Sequence, residues 1–138
     1  MDVFKVLIAD DETEYLETLV KRMKKRHLDI TGVESGEEAL KWLEQNLADV
    51  VVLDVRMPGM DGIQVLREIK TKYPLVEVII LTGHANVEVA IEGMELGAFD
   101  YLMKPMDIDE LLYKIQDAFK KKAIQQEKIA RMEEMVGD

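Results

Sequence analysis

The chain has 138 residues, with 18 Lys and Arg against 28 Asp and Glu, a formal charge of −10, and no cysteine. That length suits one domain with a core of its own, and the charge disfavours a polyanionic partner such as nucleic acid. Without cysteine there are no disulfides, thiolate nucleophiles or cysteine-held zinc and iron–sulfur sites.

The N-terminal run VFKVLIA at 3–9 turns acidic too early for a signal-peptide core or a membrane span, so a soluble cytoplasmic protein is expected. This run, with DITGV at 29–33, DVVVL at 49–53, EVIIL at 77–81 and AFDYLM at 98–103, is short and largely β-branched or aromatic, and reads as five strands. Three of the runs are nearly continuous apolar, which suits a parallel sheet covered on both faces.

The intervening segments have helical period. Residues 12–26 place Tyr15, Leu16, Leu19, Val20 and Met23 on one stripe, opposite the basic group Lys21, Arg22, Lys24, Lys25 and Arg26, which reads as a solvated face. Residues 36–47 do the same with Ala39, Leu40, Leu43 and Leu47, and Trp42 lies beside that stripe. Ser35 with Glu38, Asp61 with Gln64 and Asp107 with Glu110 have the spacing of capping boxes, and Gly97 is placed to stop a helix over about 87–95. His27 suits the C-terminal end of its helix. Five βα units in succession, joined by right-handed crossovers, predict a doubly wound α/β fold with a five-stranded parallel sheet.

From about 120 the sequence KKKAIQQEKIARMEEMVGD contains no turn signal, so the last helix is expected to run on as an extension over 121–138. Leu111, Ile115, Ala118, Lys122, Gln125, Ile129, Met132 and Val136 follow alternating steps of four and three, a heptad seam interrupted by two polar positions. A solvent-exposed tail, a short coiled-coil dimer contact and a linker to a further domain are all compatible with it.

The residues that end the strands carry the chemistry. Asp10 and Asp11 follow the first, Asp54 the third, Thr82 the fourth and Lys104 the fifth, and in a parallel sheet all of them reach one edge. Three neighbouring carboxylates raise one another's pKa unless a cation compensates them. Few oxygen ligands, with room for water and a phosphoryl oxygen, suit Mg²⁺. Beside such an ion and an ammonium, Asp54 becomes an acceptor for a phosphoryl group, and the Thr82 hydroxyl is placed to sense it.

Asp10 and Asp11, the loop DVRMPGMDG from Asp54 to Gly62, LTGH at 81–84 and YLMKP at 101–105 resemble the receiver domain of bacterial two-component response regulators over about residues 3–120. The resemblance implies strand order 2-1-3-4-5, a domain over 1–120, and phosphorylation of Asp54 by a sensor histidine kinase. It further implies Mg²⁺ held by Asp10, Asp11, Asp54 and the Arg56 carbonyl, and Lys104 on the phosphoryl oxygens, joined to Pro105 by a cis bond. Thr82 and Tyr101 would be the coupled switch that alters the face of the fourth helix, fifth strand and fifth helix, a face used for homodimers or output partners. Arg56 and His84 would tune phosphoryl loss, and LTGH with the helix after it is most like receivers of sigma-54-dependent activators.

Met57, Met60 and Met106 are expected to shield the site. Two rival readings share parts of this pattern. A haloacid dehalogenase-like phosphatase needs a second Asp where Arg56 stands, and a flavodoxin-like flavin binder needs a phosphate loop where this chain has Asp10, Asp11 and Glu12. A receiver that accepts a phosphoryl group is not expected to be a turnover enzyme. Whether the chain is complete or part of a regulator with an output domain is left open by the sequence, in which no GxxxxGK[ST] loop occurs.

Overall fold

A computed structural model describes residues 4–83 and 87–137. Strands β1 (Lys5–Ala9), β2 (Asp29–Val33), β3 (Val50–Asp54), β4 (Glu77–Gly83) and β5 (Asp100–Lys104) alternate with helices α1 (Thr13–Lys25), α2 (Gly36–Gln45), α3 (Gly62–Lys72), α4 (Val87–Glu95) and α5 (Ile108–Val136). The strands form one parallel sheet of order β2-β1-β3-β4-β5, the doubly wound arrangement that alternation predicts.

Side-chain parity divides the core in two. Leu7, Ala9, Val51, Leu53, Val78 and Ile80 face one layer with residues of α2 and α3. Val6, Ile8, Val50, Val52, Ile79 and Leu81 face the other, against α1 and α5. Both faces are dry, so successive residues are equally apolar and these strands read as runs.

The strands end later than the apolar runs. Asp54 is the last residue of β3, Thr82 lies inside β4 and Lys104 closes β5. Their backbones stay in the ladder, with Asp54 opposite Leu81 and Lys104 opposite Gly83. Helix α2 stops at Gln45, which leaves Leu47 outside its apolar stripe and 85% exposed. Trp42 packs partly buried against the core.

The three capping signals differ in outcome. Asp61 and Gln64 form the full reciprocal box. Ser35 accepts the Glu38 N–H, but the Glu38 carboxylate reaches one residue further back, to the Glu34 N–H. Asp107 stands at the N-cap of α5 without a side-chain cap bond. Gly97, at φ +102°, closes α4 as expected. His27 takes the same left-handed role after α1, at φ +64°, its N–H donating to the Lys24 carbonyl.

Helix α5 runs through residue 120 without interruption. Leu111, Ile115, Ala118 and Lys122 of the heptad seam are buried on the domain, whereas Ile129, Met132 and Val136 are exposed beyond it. Lys122 bonds Asp49 at 2.6 Å. Among the described residues no helix is long and apolar enough to cross a membrane.

Candidate functional site

The parallel register delivers Asp10, Asp54, Thr82 and Lys104 to the carboxyl edge of the sheet. Asp10 leaves β1 with its backbone N–H bonded to the Val33 carbonyl, and its side chain is fully buried. Asp54, 4% exposed, ends the central strand β3. Behind it the chain returns as Gly62 donates its N–H to the Val55 carbonyl. A Cβ on Gly62 would collide with the Asp54 carbonyl oxygen and approach the Val55 Cα to 2.9 Å, so only glycine lets α3 start against the end of β3.

Among the described residues one ammonium serves this edge. Lys104 Nζ lies 2.6 Å from Asp10 Oδ2, 3.2 Å from Glu12 Oε1 and 3.7 Å from Asp54 Oδ2. It also sits 4.5 Å from the centre of the Tyr15 ring, a cation–π distance. The other oxygen of Asp10 accepts the Glu12 N–H at 2.9 Å. The Lys104–Pro105 bond is cis.

The charges do not balance. Burial pushes the Asp54 carboxyl up, and the negative charge of Asp10 pushes it further, while Lys104 and the Arg56 N–H pull it down; the result is a pKa of about 6. For Lys104, burial lowers the pKa, but the bond to Asp10 and the charges of Asp54 and Asp10 outweigh it and hold it above its ordinary value. The Tyr15 phenol is raised, chiefly by burial.

Carboxylate oxygens of Asp10, Glu12 and Asp54 lie within 4.8 Å of one another. Hard oxygen donors around an under-compensated carboxyl are what a hard divalent cation requires, so the residues fit Mg²⁺. Asp11 stands exposed outside this trio and acts on Asp54 through its charge. Glu12, which strand-end reasoning overlooked, is inside it. The signal was the third acid of the tripeptide 10–12, which stands beyond the residues that close the strand.

Thr82 is buried, its hydroxyl donating to the Gly83 carbonyl at 3.3 Å. Tyr101 is 42% exposed. The two residues share a groove of about 370 Å³ with Val87, Ala90, Ile91 and Met94, between α4 and β5. Arg56 is exposed, Met57 buried, and Met60 and Met106 half-buried. His84 lies outside the described residues.

Residues 6–116 match the response regulator receiver domain family. Among curated proteins the chain is 39% identical to the DNA-binding transcriptional regulator NtrC of Escherichia coli K12, over 82% of this chain and 24% of that one. It is 36% identical to the transcriptional regulatory protein ZraR of the same organism, over 85% of this chain and 26% of that one. The chain thus spans about a quarter of the length of these relatives. A receiver domain protein from Clostridium thermocellum superposes with a TM-score of 0.84 at 36% identity, covering 89% of this chain and 99% of that one. With its strand order, its carboxyl-edge acids and lysine, and this likeness over most of its length, the chain belongs to the response regulator receiver domain family.

Proposed function

We propose that this receiver domain, over residues 1–120, accepts a phosphoryl group on Asp54 from a phosphohistidine of a sensor kinase. The observation that carries the reading is the position of the Asp54 carboxyl: it ends the central strand, within reach of Asp10 and Lys104. In the transfer an Asp54 oxygen bonds phosphorus as the P–N bond to the kinase histidine breaks. Asp10, Asp11, Asp54 and the Arg56 carbonyl would hold Mg²⁺, which when bound offsets the charge of the acids and of the equatorial phosphoryl oxygens. Lys104 pairs with one of those oxygens, and the Thr82 hydroxyl turns from the Gly83 carbonyl to donate to another.

That turn leaves space in the groove that Thr82 shares with Tyr101, and the exposed ring moves into it, changing the surface of α4, β5 and α5. Arg56 and His84 tune the loss of the phosphoryl group and so its lifetime. The domain is then a signalling element with a single bound phosphoryl group rather than a turnover enzyme. It works in the cytoplasm, and its signal passes to an output segment of a longer regulator or to a homodimer through the α4–β5–α5 face. The free seam of Gln125, Ile129, Met132 and Val136 offers a second dimer contact, and any contact with DNA falls to the output segment.

Acetyl phosphate with Mg²⁺ is expected to add one phosphoryl group, traced to residue 54 by borohydride reduction and peptide mapping. Asp54→Ala should abolish the label. Labelling that persists in this variant, labelling without metal, or many turnovers of a phosphate ester would overturn the proposal.

A further inference from the structure

We propose that Glu12 is a positioning residue that holds the Lys104 ammonium withdrawn from Asp54, so that a phosphoryl group on Asp54 competes with Glu12 for it. The inference rests on the reading of Asp54 as phosphoacceptor. In the resting geometry the ammonium is nearer to Asp10 and Glu12, at 2.6 and 3.2 Å, than to Asp54, at 3.7 Å. It has three donors and no acceptor. Two are taken by Asp10 and Glu12, and the Tyr15 ring lies 4.5 Å away as a platform beside it.

The two acids differ in what they can give up. Asp10 is fully buried, and both its oxygens are engaged, one by the Glu12 N–H and one by Lys104. Glu12 has a side chain 64% exposed, stands at the N-cap of α1, and makes no cap bond with its carboxylate. Water can replace Lys104 on Glu12 at little cost. The Glu12 contact is therefore the one that yields, and as an exposed ion pair its release costs a few-fold in affinity.

Glu12 is also an acid close to the metal-binding oxygens, so its influence through Lys104 has to be separated from direct repulsion of an anion and from metal ligation. The experiment is a double-mutant cycle of Glu12→Gln and Lys104→Met, read as beryllofluoride affinity for the Mg²⁺-loaded protein by NMR shifts around Asp54. With Lys104 present, Glu12→Gln is expected to tighten beryllofluoride about two- to fivefold. With Lys104→Met the same substitution should have no effect.

In the metal-free protein, the Lys104 ammonium resonance should be visible in wild type, shielded from exchange by its bonds, and should weaken in Glu12→Gln while backbone shifts outside the site stay unchanged. An undiminished tightening in the Lys104→Met background would assign the effect to direct repulsion and overturn the proposal. So would a loss of Mg²⁺ affinity in Glu12→Gln as large as that of Asp10→Asn, which would make Glu12 a ligand. Failure of wild type to bind beryllofluoride at Asp54 would instead strike the phosphoacceptor reading, and the inference with it.

Discussion

The two edges of the sheet both gather acids and lysines, with opposite balance. At the carboxyl edge Asp10, Glu12 and Asp54 share the ammonium of Lys104. At the amino edge Asp49, just before β3, and Glu77, the first residue of β4, meet three. Lys122 bonds Asp49 Oδ1 at 2.6 Å, while the Lys5 N–H donates to Oδ2 at 2.8 Å. Lys121 lies 3.2 Å and Lys70 3.7 Å from the oxygens of the fully buried Glu77, whose Oε2 has ionic contact but no hydrogen bond. An edge with its charges paired can be a fixture of the fold, whereas an edge in excess of acid is completed by something that binds. Removing one acid should therefore have opposite signs at the two edges.

The largest expected effect is at the amino edge. Asp49→Ala leaves Lys122, 9% exposed, without its carboxylate and the Lys5 N–H without its acceptor. Two bonds to a charged group are lost, and a destabilisation of about 2–4 kcal/mol is expected in urea unfolding. Stability equal to wild type would show that the edge is not a fixture.

At the carboxyl edge the corresponding substitution should stabilise. The folded-state pKa of Asp54, about 6, lies above its unfolded value near 3.8. The folded protein thus holds the proton longer, and this contribution is complete below the unfolded pKa and lost as pH rises through 6. Asp54→Asn escapes the loss. With metal chelated, it should match wild type near pH 4 and exceed it by up to about 3 kcal/mol above pH 7. Paired urea titrations across pH 3.5–8 check this, and a difference that is flat with pH would contradict the charge imbalance.

These edges were unequally legible in the sequence. Fold class and the carboxyl edge follow from local signals: apolar runs reveal strands buried on both faces, and the residues closing them must converge if the sheet is parallel. The amino edge carries no such signal, because Asp49 and Glu77 open their apolar runs, where a charged residue reads as surface. Lys122 looked like a polar fault in a heptad seam, yet its partner is 73 residues away. Leu47 failed for the opposite reason, since periodicity continued on paper after α2 had ended at Gln45. Glu12 needed the position of Lys104, which pairing from 92 residues away supplies.

Metal sharpens the contrast at a smaller scale. At ten times its dissociation constant, Mg²⁺ should stabilise wild type by about 1.4 kcal/mol. Asp10→Asn should remove most of this gain, whereas Asp49→Ala, at the other edge, should keep it whole despite its lower starting stability. A Mg²⁺ effect that followed Asp49 would place the ion at the wrong edge.

The smallest effect separates charge from burial within the carboxyl edge itself. Asp11 raises the Asp54 pKa from an exposed position, and its influence on Asp54 ranks behind those of burial, Asp10 and Lys104. Asp11→Asn should thus change metal-free stability by less than about 0.5 kcal/mol, as an exposed substitution does, while moving the Asp54 titration to lower pH. On the proposed ligand set of Asp10, Asp11 and Asp54, its Mg²⁺ affinity should fall nonetheless. A variant with wild-type Mg²⁺ affinity would remove Asp11 from the proposed ligands and leave its charge as its sole influence on Asp54.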